Sequence, residues 1–271
     1  MLAFFLVPLV IMLVYSFRAG TFIPEYSVFT LDNVRDFLSE TNKLRLLWRS
    51  TVTSFIVGAA AVVFAYPVAY YLAFRAGRRA ISLMLLLILP AMTSYLLRVM
   101  AWKIILGPEG ALSSLFQTLG FGESTLPGLL YNRQAVIVTL VYVWIPFVAL
   151  PIYASLSRLD KGLLEAAGDL GCPAWEAFLR VTLPLSAPGV IVGFFFVFIP
   201  TLGEWVTPVL VGGTGGIMYG NIIQDEFVNA FNWPAGSVMS IAMLLEMAVF
   251  IGVALVLYSV WRRRSLHGGG A

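Results

Sequence analysis

Residues 163–191 read LLEAAGDLGCPAWEAFLRVTLPLSAPGVI, a polar stretch broken by glycine and proline between two apolar runs. Leu163, Leu164, Ala167 and Leu170 fall on one helical face. Gly171 ends that helix as a C′ glycine does. Pro173 suits the first turn of a second short helix, PAWEAFLRV, with Cys172 or Gly171 at its cap. Leu183-Pro184 is expected to end that helix before the next apolar run begins. The stretch thus predicts two short helices meeting at a glycine bend. Periodicity alone leaves two roles open: docking in a groove of a partner protein, or lying along a membrane surface.

The surrounding composition places this bend in a membrane protein. Of 271 residues, 60% are hydrophobic and 11% charged, with a mean hydropathy of +0.90. A soluble domain carries about 25% charged residues, and this chain lacks the polar surface to cover a globule. Six segments approach the roughly 20 apolar residues that a spanning helix needs: about 1–18, 50–74, 80–104, 134–156, 185–211 and 236–261. None shows the strict alternation of a barrel strand, so the fold class is an all-α membrane protein of six transmembrane helices in a single domain, 1–271. The first segment has no basic leader and no small-residue cleavage site, and it reads as a retained span. The single cysteine, Cys172, excludes an internal disulfide and any Cys-rich metal cluster. The net charge of +3 reflects retention of basic residues on one membrane face rather than nucleic-acid binding.

Basic residues also set the orientation. With the N-terminus inside, nine Lys and Arg fall in cytoplasmic segments and seven outside. The clusters RAGRR (75–79) and WRRR (261–264) abut span ends, where the bias acts most strongly. Both termini are therefore expected in the cytoplasm, with the 163–191 stretch on the same side. The first outer loop contains FTLDNVRDFLSE, a short amphipathic surface helix capped by Thr30 or Asp32. Prolines 67, 90, 146, 151, 188, 200 and 208 interrupt the spans, the bending expected of a transporter more than of an anchor.

Glu165-Ala166-Ala167, three residues, Gly171, nine residues, then Val181-Thr182-Leu183-Pro184 resembles the EAA loop of bacterial ABC-importer permeases, with Val where Ile is usual. That resemblance implies the type I importer permease fold. It also implies a coupling role for Glu165, Ala166, Ala167, Gly171, Leu183 and Pro184, as the element that fits a cleft on a separate ATPase. The chain has no G-x-x-x-x-G-K-[ST], so it is not its own ATPase; ATP and Mg belong to the partner, and no cofactor is expected here. The stretches AYPVAYYLA (65–73), ILPAMTSYLLRVMAWKIIL (88–106), FIPTLGEWVTPVLVGG (198–213) and IMYGNIIQDEF (217–227) extend the likeness to the putrescine/spermidine branch. The partners this implies are a second permease, two ATPase subunits and a periplasmic or lipid-anchored solute-binding protein, in the bacterial inner membrane.

Charges inside spans are costly and mark function. Arg98 and Glu204 each lie 17 residues beyond a cytoplasmic span start, Ile81 and Ala187. That puts both roughly 25 Å up a straight helix and makes an ion pair between them an expectation. Glu246, about 14 Å into the sixth span, has no basic residue at its depth and reads as a packed protonated acid or a ligand. A polyamine path needs spaced carboxylates and aromatic faces. Glu204, Glu246, Tyr95, Trp102, Trp205 and Trp233 supply these, with Arg98 nearby and Asp225 and Glu226 at the outer mouth. For the tryptophans, interfacial anchoring competes with a ligand role. No metal site is expected.

Three other readings compete with this one. The same machine with another cargo, such as a different organic cation, an aminophosphonate or a metal chelate, keeps every motif. A stand-alone secondary transporter predicts inverted repeats that the sequence lacks. An intramembrane enzyme lacks its machinery, since His267 is the sole histidine and no H-E-x-x-H or G-x-S-x-G occurs.

Overall fold

The structure, a computed structural model, describes residues 2–22, 28–119 and 129–267. In chain order the helices are α1 (Leu2–Ser16), α2 (Asp32–Ser39), α3 (Thr41–Phe74), α4 (Ala80–Ile88), α5 (Tyr95–Ile105), α6 (Ala111–Thr118), α7 (Arg133–Leu156), α8 (Lys161–Asp169), α9 (Ala174–Ala177), α10 (Leu183–Leu202), α11 (Tyr219–Val228) and α12 (Trp233–His267). Among the described residues the only β pairing is an isolated bridge between Arg18 and Phe29. The all-helical expectation holds.

Among the described residues, four helical stretches are long and apolar enough to cross a membrane: Thr41–Phe74, Arg133–Leu156, Ala174–Leu202 and Trp233–Val256. The first two contain the second and fourth expected segments, and the last two overlap the fifth and sixth. The first segment is the 15-residue apolar α1. The third is not a straight span. Gly77–Met92 and Tyr95–Ile105 are bent by 85°. Pro90 lies in a tight 3₁₀ turn, and Thr93 and Ser94 then adopt extended backbone with ψ of 160° and 133°. The Thr93 hydroxyl donates to the Pro90 carbonyl at 2.7 Å, satisfying an acceptor that the break exposes. Depth along a straight helix therefore does not locate Arg98.

The chain forms two compact units, residues 1–49 with 219–271, and residues 50–218. In the first, Phe37, Tyr219, Val238 and Met239 form a buried cluster joining α2, α11 and α12. The expected surface helix is present as α2. Its cap position is Leu31, not Thr30 or Asp32 as expected, with no side-chain cap; Asp32 occupies the first turn and donates its amide to the Thr30 hydroxyl at 3.1 Å.

The second unit is organised around the contact of α7 with α10. Ser186, Gly189, Gly193 and Val197 make a buried stripe on α10. A Cβ on Gly189 would lie 2.5 Å from the Pro151 carbonyl oxygen and 2.6 Å from Ser155 Cβ. A Cβ on Gly193 would lie 3.1 Å from a Val148 methyl. Two glycines four apart thus let the backbones approach closely, the usual device for helix association where lipid removes the hydrophobic drive. On the neighbouring side, α3 meets α10 through a 2.8 Å hydrogen bond between the Tyr66 and Ser186 hydroxyls. Gly58 lies beneath the Phe194 ring.

The seam makes a sharp prediction. Gly189→Val must push a backbone carbonyl, so it is expected to destabilise the protein by about 1–3 kcal/mol. Gly252, where a Cβ meets nothing within 4 Å, should tolerate alanine and gain up to about 1 kcal/mol. Thermal unfolding of the detergent-solubilised protein separates the two. Equal melting temperatures for both variants would show that the seam is not under the constraint described.

Candidate functional site: a projecting two-helix loop and a charged patch in the spans

The loop after α7 is built by local signals. The Asp160 side chain accepts the Gly162 amide at 2.9 Å and caps α8. At its far end the Gly171 amide donates to Gly168 and the Cys172 amide to Ala167, a Schellman closure. Gly171 has φ +76, with open space around its Cβ position. Its need for glycine is conformational, not steric. Pro173 itself is the cap of α9, so the helix starts one residue later than expected.

One expectation is corrected: Leu183-Pro184 does not end the second helix. The helical path runs unbroken from Ala174 to Leu202. A π-helical turn, Phe178–Thr182, widens the register, and the Leu183 amide bonds back five residues to Phe178. Widening at this point accommodates a Pro184 that has no N–H and whose ring would crowd the preceding turn. Phe178 packs edge-on to Tyr66 and Tyr70, which ties the loop to α3. Arg180 pairs with Glu176 at 2.7 Å.

The loop's outer face is uncovered in the chain alone. Leu170 is 88% exposed and Trp175 67%. Glu165, Ala166 and Gly171 are exposed and Ala167 is half-buried. Large apolar side chains held outward on a rigid bend form a surface suited to another protein.

The second set of side chains lies on α5 and just beyond α10. Helix α10 stops at Leu202, earlier than the expected span end at 211, and Glu204 follows the Gly203 cap. The Glu204 Oε1 accepts the Val206 amide at 2.9 Å and the Thr207 amide at 3.0 Å. It therefore caps the helical turn that follows. The Tyr95 hydroxyl is 2.6 Å from Thr207 Oγ1 and beside the same carboxylate. Arg98, one turn along α5, reaches the Val143 carbonyl at 3.4 Å and stands 5.9 Å from the Tyr95 ring centroid.

The expected Arg98–Glu204 ion pair is absent: the ion pairs among the described residues join other partners. Glu204 spends an oxygen on backbone amides instead, and Tyr95 lies beside both charged groups. Tyr95, Arg98 and Glu204 are thus brought into one patch. Trp102 flanks it, packed at 5.4 Å on Tyr142, and Trp205 is exposed. Sequence reading missed Thr207 and Tyr142. Thr207 had a signal, since an acidic residue directly after a glycine-ended helix often caps the next turn; Tyr142 had none.

The remaining candidates belong to the first unit. Glu226 is held by Lys43 at 3.3 Å, and Lys43 also meets Glu40 at 3.2 Å. Asp225 is exposed and accepts from Asn229 at 2.6 Å within α11. Glu226 is therefore neutralised rather than presented as a bare anion. Glu246 is half-buried on α12. Burial, with the Glu246 charge adding to it, raises the Tyr219 phenol above its usual range. Trp233 opens α12 and packs on Tyr15 and Phe227. No group of three or more His, Cys, Asp or Glu that would hold a metal occurs among the described residues.

The chain is 36% identical over 239 residues to the spermidine/putrescine transport system permease protein PotB of Escherichia coli (strain K12), covering 88% of this chain and 84% of that one. It is 33% identical to PotB of Haemophilus influenzae, covering 92% and 87%. The molybdenum transport system permease protein ModB of Azotobacter vinelandii is 26% identical over 76% of this chain and 89% of its own. Among solved structures, a bacterial ABC transporter involved in the import of alginate superposes with a TM-score of 0.70 at 14% identity, covering 95% of this chain and 90% of that one. The MetNI methionine ABC transporter superposes with 0.53 at 19%, covering 81% and 94%. Residues 1–266 match the family described as binding-protein-dependent transport system inner membrane component, and the chain belongs to that family, with its importer-permease fold.

Proposed function

We propose that this chain is the permease subunit of an ATP-driven importer for polyamines, putrescine and spermidine. The observation that carries the cargo is its 36% identity, over most of both chains, to a spermidine/putrescine permease. The projecting α8–α9 loop, with Leu170 and Trp175 outward, supports docking to a separate ATPase. The partners are a second permease, two ATPase copies and a solute-binding protein. The basic clusters at span ends support cytoplasmic termini.

In this mechanism ATP closes the ATPase pair and shifts the docked loop. The helical path from Ala174 to Leu202 carries that displacement toward Glu204. The Glu204 carboxylate keeps one oxygen on the amides of Val206 and Thr207 and offers negative charge to a substrate ammonium. Tyr95 and Trp102 add ring faces for cation–π contact. Arg98, a cation, opposes a polyamine and serves another purpose.

Reconstitution with the partner subunits tests the cargo. Putrescine or spermidine with binding protein should stimulate ATP hydrolysis several-fold; stimulation by another solute class and not by polyamines overturns the assignment. Glu204→Gln keeps an acceptor for the cap but loses the charge, and should raise the apparent KM for spermidine about tenfold, the scale of one charged hydrogen bond. An unchanged KM leaves Glu204 a cap only. For the loop, Gly171→Ala strains the left-handed residue by about 1–2 kcal/mol. It should reduce transport per ATP while Gly171→Asn retains more of it. Equal coupling in both would remove the bend from the mechanism.

A further inference from the structure

A cavity of about 420 Å³ runs within the second unit between α3, α4, α5 and α7. Its walls are apolar, among them Leu72, Leu83, Leu87 and Pro146, and its single charged group is Arg98. Arg98 also lines a second recess, with Thr93, Leu97 and Trp102. Arg98 Nε is shielded from solvent, and among the described residues it has no hydrogen-bond partner. The guanidinium's one recorded hydrogen bond is the long 3.4 Å contact to the Val143 carbonyl. Glu204, the nearest candidate counter-ion, is committed to backbone amides.

A shielded N–H on a fixed positive charge left unbonded is unfavourable, and an anion meeting it satisfies donor and charge together. Arg prefers phosphate and carboxylate oxygens, which its planar fork bonds in pairs. The walls demand that this anion carry a long apolar tail. Leu83, Leu86, Leu87, Pro90 and Ala91 line it over a rise of roughly 13 Å, which makes it a slot along α4 suited to one thin, flexible chain.

We infer that this slot binds an anionic phospholipid, with one acyl chain along α4 and the phosphate on Arg98. The lipid neutralises the guanidinium that would otherwise repel a cationic cargo beside Tyr95 and Glu204. It also fills the hollow behind the 85° bend at Thr93–Ser94.

The test uses the complete transporter, purified in mild detergent from membranes containing phosphatidylglycerol, with bound lipid counted by native mass spectrometry. The wild type should retain one phosphatidylglycerol per copy of this chain. Arg98→Gln should lose it, Arg98→Lys should keep most of it, and Ala91→Phe, which blocks the slot and leaves the charge, should also lose it. On the delipidated wild type, dioleoyl phosphatidylglycerol should rebind at least tenfold more tightly than the dihexanoyl form, and glycerol 1-phosphate should not bind. Equal retention by wild type and Arg98→Gln overturns the assignment. So does retention that survives Ala91→Phe, or rebinding indifferent to chain length. Efficient disulfide capture of the second permease by Leu87→Cys would show that protein, not lipid, occupies the slot.

Discussion

The second unit depends on how closely α10 approaches α7. Gly189 and Gly193 present bare backbone to Val148, Pro151 and Ser155; a Cβ at Gly189 would have to move a carbonyl, and one at Gly193 would crowd a Val148 methyl. In a bilayer such contact supplies what water-driven burial supplies elsewhere, because lipid tails solvate apolar side chains as well as the protein does. With that seam fixed, Ser186 falls opposite Tyr66, and Phe194 lies over Gly58. The positions of α3 and of the loop-bearing end of α10 follow from the same contact.

The polar groups show how a greasy chain chooses among partners. Glu204 had an arginine on a nearby helix and took two backbone amides instead. Amides at a helix start are preorganised and cost no side-chain entropy, whereas Arg98 must fix a long side chain to reach an anion. In the first unit Lys43 makes the opposite choice and joins Glu40 with Glu226, binding α3 to α11. Local geometry decides which acids stay available as charge.

The sequence discloses what is written locally. The EAA spacing, the Gly171 bend and the outward Leu170 all follow from signals within a few residues. Glu204 emerged as a candidate because charges inside spans are rare, and Tyr95 because a polyamine path needs aromatic faces. What failed was the inference from depth. Arg98 and Glu204 were matched by counting residues along straight helices, yet the third segment turns by 85° and the fifth stops at Leu202. Pro90 announces some bend; that Thr93 and Ser94 extend it to nearly a right angle depends on packing. The Lys43–Glu226 bridge joins residues 183 positions apart, and no local pattern reports it. The π turn went unread for the same reason, since a helix-breaking Leu-Pro and a register-widening one look alike in sequence.

That turn changes the mechanical character of the chain. Had Leu183-Pro184 broken the helix, loop and span would have been two bodies joined by a swivel. Instead Ala174–Leu202 is one rod of 29 residues, roughly 43 Å long at 1.5 Å per residue, with Trp175 near one tip and Glu204 two residues past the other. It carries a widened turn at 178–182, which Phe178 clamps against Tyr66 and Tyr70. A push at the tryptophan end therefore reaches the carboxylate end through continuous helix and not across a break.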